Sequence, residues 1–300
     1  MLRSVILDNS KSFYGESRGV QATARWLSNS GASYRPGGGD AGYAQLTHYT
    51  AEYCEWGDGP PLVLIPGMAG GFQLLGPIAD TLARNFRVIT YQLRGEDNCF
   101  ALRRPFGLSD LALDLREFIR WRGLETPAVF GVSFGAVIAL EFAARFPLGL
   151  GQLAVQGVGS RFESGLIQRI AGTMLSRFPL PADNPFVNQF FNLLFGAPQK
   201  QDGLFEFVTR QCWQTDQSVM AHRFHPVESF NLDSKLHRIR VPSLIMNGQR
   251  DVLVSQKTMQ ALGAGIADAR MLRLPRCGHL AFVTHPQLVA DHVTNFMLSV

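Results

Sequence analysis

The 300-residue chain contains no run approaching 18 uninterrupted apolar residues, so a membrane-spanning helix is not expected. Its four cysteines, Cys54, Cys99, Cys212 and Cys277, stand far apart and form no C-x-x-C pair. They read as reduced thiols of a cytoplasmic protein rather than as a disulfide framework or a zinc site. Charge is scarce too: 17% of residues are charged, and 28 basic against 24 acidic side chains leave a formal +4. Nothing basic clusters beyond Leu102-Arg103-Arg104, so no nucleic-acid partner is expected. The apolar run in MLRSVILDNSKSFYG is too short for a secretory leader. No period of 20–50 residues marks a repeat array. Gly67, Gly70 and Gly71 look like part of a phosphate loop, but no Gly-Lys-Ser or Gly-Lys-Thr follows. No spacing suggests a metal site, and no cofactor is expected.

What is present is material for a packed core, with 46% hydrophobic residues. Residues 1–42 close on Arg35-Pro36-Gly37-Gly38-Gly39-Asp40, a cluster that marks a loop, so they read as an N-terminal arm. From Tyr43 the texture changes. Gln45–Trp56 alternates as a strand pair, and Gly57-Asp58-Gly59-Pro60 is a turn. Leu62–Ile65, Arg87–Tyr91, Ala128–Val132, Leu153–Val155, Ser243–Met246 and Arg270–Leu274 read as short apolar strands buried on both faces. Helical spacing runs over Phe72–Asn85, over Asp110–Arg122, and over Phe134–Phe146, which Pro147 stops. Alternating strand and helix predict an α/β fold, a doubly wound and mostly parallel sheet.

Residues 160–235 break that alternation and separate core segments 43–159 and 236–300. They carry Phe178, Phe186, Phe190, Phe191, Phe195, Phe205 and Phe207 and read as a helical cap over the carboxyl edge of the sheet. Each Phe serves either the cap's own core or an apolar acyl or alcohol pocket.

The chemistry concentrates in three places. Gly131-Val132-Ser133-Phe134-Gly135 is a G-x-S-x-G sequence between a predicted strand and a predicted helix. A serine exposed on so sharp a turn needs small neighbours, because backbone passes close by. It also needs a base to take its proton and a third group to orient that base. Asp251 follows one apolar strand in Asn247-Gly248-Gln249-Arg250-Asp251, and His279 follows the last strand in Arg276-Cys277-Gly278-His279. All three candidates thus fall at carboxyl ends of strands of one sheet. The other histidines are His48, His222, His225, His237, His285 and His292. Of these, only His222 and His225 lie in the insertion, where they could line its pocket.

With those pieces and Ile65-Pro66-Gly67, the chain from Leu62 onward resembles the α/β-hydrolase superfamily, as a serine-nucleophile, esterase-like member with a helical cap. The resemblance implies Ser133 as nucleophile, His279 as general base and then acid, and Asp251 as its orienting carboxylate. It also implies an oxyanion hole made by the backbone N–H groups of Met68 and Phe134. Pro66-Gly67 stands where many relatives carry His-Gly, which leaves the backbone donor in place. Arg94-Gly95-Glu96-Asp97 occupies the place of an Arg-Gly turn in relatives and reads as structural. Cys277 reads as a packed thiol rather than a second nucleophile.

The expected activity is a serine hydrolase of small, fairly apolar carboxylic esters, working through an acyl-enzyme. Two alternatives are weighed with it. One is hydrolysis of carbon–carbon bonds in diketones, whose enzymes often carry Trp after the active-site His, where this chain has Leu280. The other is a slow-turnover ligand receptor that retains the triad. The expected partner is a small apolar ester or related acyl compound.

Overall fold

The computed structural model describes residues 39–96, 105–177, 185–196 and 203–299. The predicted arm up to residue 38, Asp97, Cys99, Leu102-Arg103-Arg104 and Phe178 lie outside the described residues.

Eight strands form one sheet in the order β1-β2-β4-β3-β5-β6-β7-β8. They are β1 (Asp40–Gln45), β2 (Thr50–Trp56), β3 (Pro61–Ile65), β4 (Arg87–Tyr91), β5 (Ala128–Val132), β6 (Gln152–Gln156), β7 (Ser243–Gly248) and β8 (Ala269–Leu274). β1 and β2 are antiparallel, β2 meets β4 antiparallel, and every pair from β4 to β8 is parallel. Successive side chains of a strand point to opposite faces, and both faces here are covered. Val63 and Ile65 enter one core with α3 (Leu108–Trp121) and α4 (Phe134–Arg145). Leu62 and Leu64 enter the other, with α1 (Gly71–Leu74), α2 (Gly76–Leu82) and α11 (Pro286–Met297).

Two expectations change. The single helix over Phe72–Asn85 is two helices, α1 and α2, because Pro77 sits in the first turn of α2. A proline there has no N–H to give the preceding turn and its ring crowds that turn's carbonyl. The strand pair placed in Gln45–Trp56 begins earlier: β1 pairs with β2 from Asp40 opposite Glu55 to Gln45 opposite Thr50. Asp40, Ala41 and Gly42 therefore belong to the sheet, ahead of the boundary at Tyr43. β1 is an edge strand in which only Ala44 is buried, so it lacks the apolar alternation that marks a strand.

Between β6 and β7 the described chain forms α5 (Leu166–Arg177), α6 (Pro185–Phe195), α7 (Leu204–Cys212) and α8 (Gln217–Glu228). The two ends of this insertion are tied to each other. Arg161 bridges Asn231, Phe162 N–H donates to the Phe230 carbonyl at 2.9 Å, and Leu232 N–H donates to the Ser160 carbonyl at 2.9 Å. After β7 come α9 (Gln256–Gly265), β8 and α10 (Ala281–Thr284). None of the helices among the described residues is long and apolar enough to cross a membrane.

Candidate active site

Ser133 is the single residue between β5 and α4, at φ 51° and ψ −115°. A non-glycine residue held at positive φ stores about 1–3 kcal/mol of backbone strain, which the packing around it must offset. Ser133 N–H donates to the Gln156 carbonyl at 2.7 Å, anchoring the turn to β6. A Cβ at Gly135 would overlap the carbonyl oxygens of Ile65 and Pro66, and one at Gly131 would overlap the carbonyl of Gly135. Glycine is required at both positions because backbone crosses backbone there.

The structure brings the three sequence candidates together. His279 Nε2 lies 2.8 Å from Ser133 Oγ, and His279 Nδ1 lies 2.9 Å from Asp251 Oδ2. The side chains of His279 and Asp251 are 5% and 1% exposed, so the pair is shielded from competing water. Asp251 Oδ1 accepts from the N–H groups of Leu253 and Val254 at 2.8 and 3.2 Å. Burial pushes the Asp251 carboxyl up. The His279 ring and the two backbone donors outweigh burial and hold it below the usual carboxylate range. An ionised Asp251 accepts a hydrogen bond from Nδ1–H, which leaves Nε2 as the ring nitrogen able to take a proton from Ser133.

The imidazole is fitted on its other sides as well. Gln156 Nε2 donates to the His279 carbonyl at 2.9 Å. Gly157, at φ 74°, lies against the ring, and a Cβ there would approach His279 Cε1 to 3.0 Å. Leu280 N–H donates to the Leu194 carbonyl at 3.2 Å, and Gly278 packs on Phe195, so α6 of the insertion is seated on the histidine loop.

Phe134 is the first residue of α4, whose leading N–H groups have no intrahelical acceptor and sit at the positive end of the helix dipole. A Cβ on Gly67 would lie 3.8 Å from Ser133 Cβ, so the Gly67–Met68 backbone passes beside the serine. Ser133, His279 and Met68 open on a cavity of about 270 Å³ whose walls include Phe162, Phe190, Phe191 and Phe224. Phe195, Phe205 and Phe207 instead pack within the protein, so the phenylalanines of the insertion whose side chains are described divide between wall and core; the Phe186 side chain lies outside that description.

His222 and His225 do not line the cavity. Both are exposed on the outer face of α8, while Met220, Phe224 and Val227 face the cavity at helical spacing. Cys277 and Cys212 are buried, which pushes their thiols up to about 11 and about 12, so neither offers a thiolate nucleophile at neutral pH. Cys212 and Cys277 carry free thiols. Among the described residues no group of three His, Cys, Asp or Glu side chains could hold a metal ion.

Sequence reading missed Arg223. Fully buried, it leaves α8 to meet Glu96 at 2.6 Å and the Met68 carbonyl at 2.8 Å. The signal was available: a lone cation on the apolar stripe of Met220, Phe224 and Val227 must find a partner. Arg94 of the predicted turn pairs with Asp114 of α3 through two hydrogen bonds at 2.8 and 2.6 Å.

A model of the alpha/beta hydrolase family matches residues 62–292, most of the chain and all of the site. The chain belongs to the alpha/beta hydrolase family. The pimeloyl-[acyl-carrier protein] methyl ester esterase of Stenotrophomonas maltophilia is 28% identical over 254 residues, covering 80% of this chain and 94% of that protein. Among solved structures, a bacterial membrane phospholipase A superposes with a TM-score of 0.77 at 20% identity, covering 92% of both chains. The enol-lactonase of Burkholderia xenovorans does so at 0.74 and 18% identity, over 86% of this chain and 100% of that one. At such identities the two structures establish the common fold alone.

Proposed function

We propose that this alpha/beta hydrolase cleaves small, apolar carboxylic esters through an acyl-enzyme on Ser133. One observation carries the reading: the hydrogen-bonded series Ser133–His279–Asp251 opens on an apolar cavity of about 270 Å³. That volume is near the lower end for small-molecule sites, which favours a short substrate. A methyl ester esterase stands among the relatives, beside carbamate hydrolases, and an ester substrate agrees with it.

In this reading His279 Nε2 takes the Ser133 proton as Oγ attacks the ester carbonyl carbon. The carbonyl oxygen becomes an oxyanion that accepts from the backbone N–H groups of Met68 and Phe134. Losing one such donor typically costs about 10²–10³ in kcat. Asp251 stabilises the imidazolium and stays ionised. His279 then returns the proton to the departing alkoxide, and the alcohol leaves an acyl group on Ser133. Water, deprotonated by the same nitrogen, attacks that ester and frees the acid and the serine. The helices between β6 and β7 act as the cap, excluding water and setting which acyl or alcohol group fits.

The test is fluorophosphonate treatment of the purified protein, mass mapping of the modified peptide, and a panel of esters and thioesters of increasing chain length. Stoichiometric labelling of Ser133 with turnover of short esters is expected. A folded protein that neither labels nor turns over any of the panel would overturn the reading.

A further inference from the structure

We propose that Arg223, Glu96 and Thr215 form a clamp that positions the Met68 backbone N–H as an oxyanion donor; this rests on the serine-hydrolase reading above. The segment to be held has little of its own to hold it. It runs from Pro66 to α1 through Gly70 and Gly71, both at positive φ (82° and 48°), with only Met68 and Ala69 between Gly67 and Gly70. Glycine-rich backbone of this kind has many conformations open to it.

The restraint comes from outside the loop. Arg223 Nη1 donates to the Met68 carbonyl at 2.8 Å, and Gly70 N–H donates to Thr215 Oγ1 at 3.0 Å. Both side chains belong to the insertion, one on α8 and one just before it. Glu96, in the turn after β4, joins them: Oε1 accepts from Arg223 Nη1 at 2.6 Å, and Oε2 accepts from Thr215 Oγ1 at 3.5 Å. Arg223 Nη2 adds the carbonyls of Leu93 and Arg94 at 3.2 and 3.1 Å. Three separate segments thus converge on the residues flanking the donor.

A buried ion pair is a poor way to gain stability, since apolar side chains of similar volume do as well or better. What the Arg223 fork does supply is geometry, because its planar donors reach several acceptors in fixed directions. Its charge is paired with Glu96, so it acts through the placement of the Met68 backbone rather than as a free cation beside the substrate. An oxyanion donor must sit about 2.7–3.1 Å from the developing charge, and misplacement near 1 Å can cost on the order of 10²-fold in rate. Arg223, Glu96 and Thr215 are positioning residues, and the substrate touches none of them.

The experiment compares Thr215→Val, Thr215→Ser, Glu96→Gln and Arg223→Lys with the wild type. It measures kcat and KM on p-nitrophenyl butyrate, affinity for an alkyl boronic acid, and thermal unfolding. The boronate forms a tetrahedral adduct on serine and so reads the oxyanion hole directly. Expected is a fall of about tenfold or more in kcat for Thr215→Val and Arg223→Lys, with KM within about twofold and boronate affinity falling in parallel. Thr215→Ser keeps the acceptor and restores both. Folded Thr215→Val and Glu96→Gln proteins with lowered Tm but wild-type kcat and boronate affinity would reduce the network to a structural tie and overturn the clamp. A folded wild type that neither labels with fluorophosphonate nor turns over the esters would overturn the hydrolase reading itself, a result distinct from active wild type with unaffected variants.

Discussion

Ser133 stands at positive φ with its hydroxyl 2.8 Å from His279, a costly conformation kept at the position of the proposed nucleophile. Ser133→Ala should lower kcat on short esters by up to about 10⁶, far more than replacement of any cysteine. Asp251→Asn should cost about 10⁴, because the amide cannot hold the imidazolium; a stopped assay with thermal unfolding as the folding check measures both. Two histidines outside the candidate site make stability depend on pH. Burial lowers the pKa of His285, with Arg276 adding to it, and burial lowers that of His292 against the opposing pull of Asp291. Their folded values lie below about 6.5, so between the two values the unfolded chain binds more protons and stability rises with pH. Urea midpoints should therefore drop as pH falls below about 6.5, and His285→Gln with His292→Gln should flatten that drop. Depression of the Asp251 value acts at lower pH. Its contribution is full above the unfolded value near 3.9 and is lost as pH falls through the folded one.

At the scale of elements, the strand-to-helix turns at the carboxyl edge depend on close backbone crossings and on buried ties between neighbours. Gly135→Ala would drive a Cβ into the carbonyls of Ile65 and Pro66, pushing β3 and α4 apart. A destabilisation of about 1–3 kcal/mol is expected, with slower fluorophosphonate labelling of Ser133 in the protein that still folds. The turn after β4 depends on Arg94, whose guanidinium is bound by Asp114 of α3 with both side chains buried. Asp114→Ala leaves that cation unpaired, and chemical denaturation should register a loss of about 3–5 kcal/mol.

At the scale of the molecule, the sheet supplies the three polar side chains and the insertion supplies much of the apolar wall. Phe190 and Phe191 come from α6, whose C-terminal end is seated on the histidine loop through Leu194, Phe195 and Gly278. Phe191→Ala should therefore shift preference toward longer acyl or alcohol chains, by about tenfold in kcat/KM per added methylene accommodated. Rates on the shortest esters should change little, since the Ser133–His279–Asp251 geometry is built on the sheet.

The strand–helix alternation and the Ser, Asp and His candidates were legible in the sequence because they rest on local patterns. Continuous apolar runs mean strands buried on both faces, and a glycine-flanked serine between strand and helix means a tight turn. Helix breaks and edges were less legible. Pro77 divides a helix whose apolar spacing runs straight through, and β1 is too exposed at the edge to carry an alternating pattern. The partners of Arg223 were beyond reach of any local reading: its contacts join residue 223 to residues 68, 93, 94 and 96. By itself the sequence determined the kind of sheet and named the residues of the candidate site at its carboxyl edge. Only the tertiary structure decided which of them meet, which face of α8 turns inward, and what holds the loop beside Ser133, because those outcomes depend on packing between segments far apart in the chain.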